Sequence, residues 1–135
     1  MALSVKALNP STVWTVPEAF TKIYSHGARI SNASETLYIS GQFGIAPDGR
    51  LPAEFAEQTS LAMNNVEALL AASGMTRANI VKLTYFLTRS SDLPGLGAIR
   101  RERWLSDEPP AVTAIVVCAL ARPECLIEIE AIAAK

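Results

Sequence analysis

The sequence predicts a single α+β domain in which two helices cover one face of a mixed six-stranded sheet. Apolar residues alternate with polar ones at 36–43 and 80–87, which is typical of strands with two different faces. Between 54 and 73 they recur instead at helical spacing. At 135 residues the chain has the length of one domain, residues 1–135, with a core of its own.

Six strands and two helices follow one another along the chain. We predict strands at 2–8, 28–31, 36–43, 80–87, 112–117 and 126–133, and helices at 54–73 and 93–105. Gly74 stands where a helix C-terminal residue is expected, Asp92 can cap the second helix, and Pro94 fits its first turn. This order favours one sheet with both helices on the same face.

Composition excludes several classes of protein. The formal net charge is −1, and no run of Lys and Arg offers a track for phosphates, so we expect no nucleic-acid partner. The apolar stretches fall short of the roughly 20 residues that cross a membrane, and the N-terminus lacks a secretory pattern, which predicts a cytoplasmic protein. There, Cys118 and Cys125 are expected to be reduced thiols rather than a disulfide, a metal site or a redox pair.

The last predicted strand carries two carboxylates on one side. Glu128 and Glu130 alternate with Ile127 and Ile129, so both acids face the same way. One interpretation is a solvated polar face, which is the commoner case because Glu is rarely fully buried. The other is a site that holds a water, a hydroxyl or a cation.

Several short motifs resemble those of one known family. They are Tyr24-Ser25-His26, Ser40-Gly41-Gln42, Pro110-Ala111 followed by Thr113, and the closing segments ALARP at 119–123 and LIEIEAIA at 126–133. From about Tyr24 to its end the chain resembles the RidA family, also called the YjgF family. The resemblance implies a chorismate-mutase-like fold and a homotrimer with clefts between its subunits. An uncovered apolar sheet face would independently favour such an assembly.

The family resemblance also implies an activity and a set of residues. Members hydrolyse reactive enamines and imines to a carbonyl compound and ammonia, and they use no metal or organic cofactor. By position, Glu128 matches the glutamate that holds the attacking water, and Tyr24 matches a tyrosine of the cleft. Ser40 and Gly41 would border the pocket, while Glu130 fits better in a structural polar contact.

The chain departs from the family pattern at Val112. Deaminase-active members have an arginine there that binds the substrate carboxylate, through a bidentate contact that valine cannot replace. Hydrogen bonds to charged groups contribute about 1.5–3 kcal/mol each, so an anionic substrate would bind roughly a hundredfold more weakly. Arg29, Arg122 and Lys22 are candidate substitutes, and a neutral or aromatic ligand is the other option.

Three further residues have two interpretations each. His26 is the single histidine and is either a proton shuttle or a packed or solvated side chain. Thr113 either offers its hydroxyl to a ligand or is a β-branched strand residue. Trp14 lies in an aromatic loop and either closes over the core or, as the family resemblance implies, lies at the rim of the cleft.

Two functions therefore remain open at the level of sequence. One is a cofactor-free deaminase of a small imine or enamine, with Glu128 and water in an intersubunit cleft. The other is a trimer that binds a small metabolite in the same cleft without converting it, which Val112 favours. An endoribonuclease or translation inhibitor, as some relatives are labelled, has the least support because the charge pattern offers no phosphate track.

Overall fold

The computed structural model describes residues 1–135 and confirms an α+β fold with six strands and two α-helices. The elements are β1 (Ser4–Leu8), β2 (Gly27–Ser31), β3 (Thr36–Phe43), α1 (Phe55–Ala72), β4 (Ile80–Leu87), α2 (Leu93–Arg103), β5 (Ala111–Val116) and β6 (Ile127–Ala134). Neither helix is both long and apolar enough to span a membrane. All six strands and both helices lie within a few residues of their predicted positions.

Hydrogen bonds divide the six strands into two sheets where the sequence pattern predicted one. The larger sheet has the order β3-β6-β4-β5, with β4 and β5 parallel and the other pairs antiparallel, while β1 and β2 form a separate ribbon. Asn32 has a φ of 61°, and the backbone N–H groups of Ser34 and Glu35 donate to the carbonyl of Lys135. The segment that follows β2 is therefore hydrogen-bonded to the residue after β6, and β2 does not pair with β3.

Both helices pack on the same face of the four-stranded sheet. Leu83, Tyr85 and Leu87 of β4 are buried there, and they join the inward residues of β6 and of α1. The remaining members of this core are Ile39, Phe55, Ala62, Met63, Val66, Leu70, Met75, Ile80, Leu96, Trp104, Ile127, Ile129, Ala131 and Ala133. The alternation predicted for β4 and β6 is thus the alternation between core and the opposite face.

Local signals place the ends of the helices. At the end of α1, Gly74 has a φ of +65°, and the N–H groups of Gly74 and Met75 donate to the carbonyls of Ala71 and Leu70. This pair of bonds is a Schellman motif, which glycine favours. Pro94 lies in the first turn of α2 as expected. The Asp92 side chain makes no cap there, however, because it accepts hydrogen bonds from Arg89.

The face of the four-stranded sheet opposite the helices, here called the open face, is covered by neither helix. Glu128 and Glu130 of β6 lie on it beside Phe86 and Thr84 of β4. Tyr38 of β3 is 75% exposed. This face combines carboxylates with large apolar side chains, a composition that favours a second surface against it.

Candidate functional site

A cleft of about 810 Å³ runs along the outer edge of β5. β5 pairs with β4 along one edge. Its other edge pairs only at Ala111, through an isolated parallel bridge to Ser25, and otherwise borders the cleft, while α2 and residues 14–26 close the remaining sides. Its lining residues are Trp14, Phe20, Tyr24, Ser25, His26, Leu93, Pro94, Leu96, Gly97, Arg100, Arg101, Val112, Thr113 and Ala114. Five of the residues proposed from the sequence are therefore brought together: Trp14, Tyr24, His26, Val112 and Thr113.

Aromatic rings form one wall of the cleft. The ring of His26 lies 4.7 Å from that of Trp14 and 6.1 Å from that of Tyr24, both edge to face, and Phe20 follows at 6.2 Å from Tyr24. His26 Nε2 is within hydrogen-bond distance of the Trp14 carbonyl, which can only accept, so Nε2 carries the proton. One role of His26 is thus to hold Trp14 in position at the rim of the cleft, where Trp14 is 65% exposed.

Val112 and Thr113 of β5 both line the cleft, but their side chains have different surroundings. Val112 packs partly against the core, next to Leu83 in the parallel register. Thr113 points toward the open face, where its Oγ1 accepts a hydrogen bond of 2.8 Å from Lys82 Nζ. The hydroxyl that was a candidate ligand contact is therefore already paired with Lys82, a residue of the open face.

None of the three candidate cations from the sequence lines the cleft. Lys22 instead forms an ion pair with Asp107, which lowers the pKa of that carboxyl. Arg29 is on β2 opposite Lys6, and Arg122 is exposed in the turn before β6. The cations that do line the cleft are Arg100 and Arg101 of α2.

The sequence did not predict Arg100 as a residue of the cleft, because charged residues are expected at the surface. It is 6% exposed; its Nη2 donates to the Ile23 carbonyl at 2.8 Å, and its guanidinium carbon lies 4.8 Å from the centre of the Tyr85 ring. One signal was present in the sequence, since Arg100 follows the buried Leu96 by four residues and shares its side of the helix. Burial lowers the pKa of Arg100.

Glu128 lies outside the cleft, on the open face, in contact with the position of Gly41. A Cβ added at Gly41 would lie 1.8 Å from Glu128 Oε1, so only glycine leaves room for the carboxylate as placed. Burial raises the pKa of Glu128, and the nearby negative charge of Glu130 raises it further. The carboxyl group is thereby shifted toward the range in which it can both accept and donate a proton near neutral pH.

A bulge in β3 brings Ser40 and Gly41 to the same face of the sheet. The register between β3 and β6 shifts between Ile39 and Gln42. Ser40 accordingly borders a hollow of about 340 Å³ on the open face with Lys82, Thr84 and Glu130. Strict alternation would have placed Gly41 with Ile39 in the core. Ser40, Gly41 and Glu128 thus form a group apart from the cleft.

Within one chain, Glu128 and the cleft residues of β5 lie on strands that are not neighbours in the sheet. Glu128 is opposite Phe86 on β4, and Phe86 is opposite Ile115 on β5. Two strand spacings of about 4.8 Å separate Glu128 from β5 by roughly 10 Å. Thr113 lies opposite Thr84 on β4, and Thr84 lies opposite Glu130 on β6. Glu130, and not Glu128, is therefore aligned with Thr113 across the sheet.

Comparisons with known proteins agree on one family. The sequence model described as Endoribonuclease L-PSP matches residues 16–135. The chain is 36% identical over 102 residues to the 2-iminobutanoate/2-iminopropanoate deaminase of Bos taurus, covering 74% of this chain and 73% of that protein. It is 28% identical over 102 residues to the putative reactive intermediate deaminase TdcF of Escherichia coli K12, covering 73% and 78%.

A solved structure matches over almost the whole length. The Rid-family protein YyfB from Yersinia pestis, a protein of unknown function, superposes with a TM-score of 0.82 at 29% identity, covering 97% of this chain and 98% of that one. The motifs, the fold and the match over residues 16–135 together show that this chain belongs to the RidA family, described in its sequence model as Endoribonuclease L-PSP.

Proposed function

We propose that the protein is a cofactor-free deaminase that hydrolyses a small reactive imine or enamine at a site shared by two subunits of a homotrimer. The observation that carries the proposal is Glu128, a carboxyl group of raised pKa for which Gly41 leaves space on an otherwise uncovered sheet face. The names of the relatives support the same chemistry, since two of them are called deaminases of reactive intermediates or imino acids.

The reaction asks little of the protein. An imine carbon is already electrophilic, so the site must hold a water, move protons and orient the substrate. Glu128 would accept a proton from the water as its oxygen bonds to the imine carbon. The same carboxyl group would return that proton to the nitrogen, which gives a carbinolamine. It would then take the proton of the new hydroxyl group and pass it to the nitrogen as the C–N bond breaks, which releases ammonia and leaves a carbonyl compound.

A neighbouring subunit would bring the two groups of residues together. Because roughly 10 Å separates Glu128 from β5 in one protomer, the Glu128 group of one subunit would meet the cleft of the next. The open face, with Tyr38 and Ile115 exposed, is the surface that such an assembly would cover. We place the protein in the cytoplasm, where its two free thiols, Cys118 and Cys125, would stay reduced.

The test is a competition for freshly formed imines. An amino acid oxidase generates the imine in the presence of semicarbazide, and a deaminase lowers the yield of semicarbazone by consuming the imine first. We expect the protein to lower this yield and Glu128→Gln to lose that effect while keeping its fold and its subunit number. Equal semicarbazone yields with and without protein, over anionic and neutral imines, would reject the proposal.

Val112 favours a second candidate, a trimer that binds a metabolite without turning it over. An aliphatic residue stands where deaminase-active members are expected to bind the substrate carboxylate, so a ligand could occupy the cleft without being oriented for attack. Thermal-shift screening would then show stabilisation with the ligand unchanged; a ligand at about 100 times its dissociation constant adds about 2.7 kcal/mol. Consumption of the ligand would favour the deaminase.

A further inference from the structure

Arg100 is a buried cation without an anionic partner. It is 6% exposed, and none of the five ion pairs in the protein includes it. Its one hydrogen bond runs from Nη2 to the carbonyl of Ile23, although a guanidinium has five N–H donors. Most of its hydrogen-bonding capacity is therefore unused, and Arg100 borders both the cleft and a second cavity that Tyr85 and Glu108 also line.

The groups around Arg100 do not neutralise its charge. Burial raises the pKa of Tyr85 to about 12, so the phenol under the guanidinium stays neutral at physiological pH. The other basic side chain that acts on Arg100 is Arg101, which is also positive, and the contributions that oppose it come from the phenols of Tyr85 and Tyr24 and not from a carboxylate. Burying an uncompensated charge is strongly unfavourable, so such a residue is better explained if an anion completes its surroundings.

Ser25 supplies a second, independent observation in the same cleft. It is 1% exposed, and its Oγ has no hydrogen-bond partner. Its backbone N–H donates to the Pro110 carbonyl at 2.9 Å, which fixes the residue beside β5. Ser25 is two residues from Ile23, whose carbonyl holds Arg100, and both side chains line the cleft. Buried hydroxyl groups are normally paired, so this one points to a missing ligand atom.

We propose that Arg100 and Ser25 form the anion-binding part of the cleft, so that a small carboxylate is held from α2 and not from the position of Val112. The guanidinium would donate to the carboxylate, and the Ser25 hydroxyl would donate one further hydrogen bond. Val112 then contacts only the apolar part of the ligand. This inference rests on the proposed function for the identity of the ligand as a small acid, but the binding itself does not require catalysis.

Arg101 is the competing cation, and its contacts assign it another role. It is exposed, its Nη2 donates to the carbonyl of Ala19 at 3.0 Å, and its guanidinium carbon lies 5.3 Å from the centre of the Phe20 ring. These contacts hold the aromatic wall of the cleft in place. A single buried guanidinium with one hydroxyl suits one negative charge, which favours a carboxylate over a phosphate.

The test compares a carboxylate with its uncharged amide. Pyruvate and pyruvamide have nearly the same shape, and ligand-detected NMR titration measures the weak binding of each. We expect the protein to prefer pyruvate about tenfold or more, Arg100→Gln to abolish the preference, and Arg100→Lys to keep part of it. Ser25→Ala should weaken pyruvate binding severalfold. Inorganic phosphate should compete poorly with pyruvate.

Controls separate this proposal from its alternatives. Arg101→Gln should keep the preference for pyruvate; if it loses the preference while Arg100→Gln keeps it, the assignment to Arg100 is wrong. Equal binding of pyruvate and pyruvamide by the unmodified protein would also overturn it. If Arg100→Gln does not fold, as judged by circular dichroism, Arg100→Lys and Ser25→Ala decide the matter. Glu128→Gln should lose deamination and still prefer pyruvate to pyruvamide, so loss of catalysis with the preference retained distinguishes the two proposals.

Discussion

Gly41 is the residue on which the position of Glu128 depends most directly. In Gly41→Ala the added Cβ would lie 1.8 Å from Glu128 Oε1, and the carboxylate would have to move away. Because a displacement of about 1 Å can reduce catalysis about a hundredfold, we expect deaminase activity to fall by one to two orders of magnitude. The semicarbazone competition measures the loss.

The matched control for this substitution is Gly27→Ala on β2. There the added Cβ meets only the Leu8 side chain at an ordinary 3.6 Å, so activity and thermal stability should both stay near those of the unmodified protein. Full activity in Gly41→Ala would mean that Glu128 is not needed where the structure places it.

The Glu128 carboxyl group should also make stability depend on pH. Its pKa in the folded protein is raised above the unfolded value of about 4.3, so the native state binds more protons between the two values. The free energy of unfolding therefore falls as the pH rises from the unfolded pKa of Glu128 to its folded pKa, and above the folded pKa this group lowers it no further. We expect Glu128→Gln to raise the urea midpoint at pH 7, and the gain to disappear below about pH 4.

Two variants control the pH experiment. Glu57→Gln removes one negative charge from the exposed side of α1 and should show no comparable gain. Glu130→Gln removes the smaller of the two causes of the raised pKa of Glu128. It should therefore narrow the pH range over which Glu128 changes the stability, without abolishing the change. A gain from Glu128→Gln that is equal at pH 4 and pH 7 would contradict the assignment.

At the scale of elements, Gln58 ties α1 to the turn that starts β6. It is fully buried, and its amide nitrogen donates to the carbonyls of Pro52 and Glu124 at 2.9 and 3.0 Å. Its amide oxygen accepts from the N–H of Leu126 at 2.8 Å. This side chain thus fixes the segment that leads to Glu128, two residues further on.

Gln58→Leu should therefore be strongly destabilising. The substitution leaves three backbone groups without their partners, and each buried unpaired group costs about 1–3 kcal/mol, so we expect a loss of roughly 3 kcal/mol or more in urea unfolding. Glu57→Ala, next to it, breaks only an exposed pair with Arg50 and should cost about 1 kcal/mol or less. Similar losses in the two variants would show that Gln58 does not hold the turn.

The elements were largely predictable because local chemistry determines them. The alternation around Leu83 and Tyr85 fixed which face of β4 is buried, and Gly74 marked the end of α1. The bulge in β3 was not predicted, although Gly41 in a strand is a known signal for one. The separation of β2 from β3 depends on hydrogen bonds to Lys135, more than a hundred residues away along the chain, and no local pattern encodes that contact.

The candidate site was predicted only in part for a similar reason. Motifs identified Tyr24, His26 and Val112, which do lie together, because short segments carry them intact. Arg100 was not predicted as a site residue and Ser25 was named only as part of the Tyr24-Ser25-His26 motif, since a charged or small polar residue is expected at the surface unless tertiary structure buries it. Their burial results from the packing of α2 against residues 23–25, which are far away in sequence.

At the scale of the whole molecule, the proposed division of the site between subunits has a direct test. Glu128→Gln would disable one group of residues, and Tyr24→Ala would disable the cleft. If each site takes Glu128 from one subunit and the cleft from its neighbour, the two inactive variants should restore activity when they are mixed, unfolded and refolded together. With equal amounts and random assembly, half of the Glu128 groups and half of the clefts are intact, so about one quarter of the sites should be active.

The outcome distinguishes a shared site from a site within one protomer. If Glu128 and Tyr24 acted in the same chain, every chain in the mixture would carry one defect and activity would stay at the level of the separate variants. Sedimentation of the unmodified protein should show three times the chain mass, and a mixture left folded should recover activity only as fast as subunits exchange. A folded monomer would leave the open face uncovered and would remove the basis for a shared site.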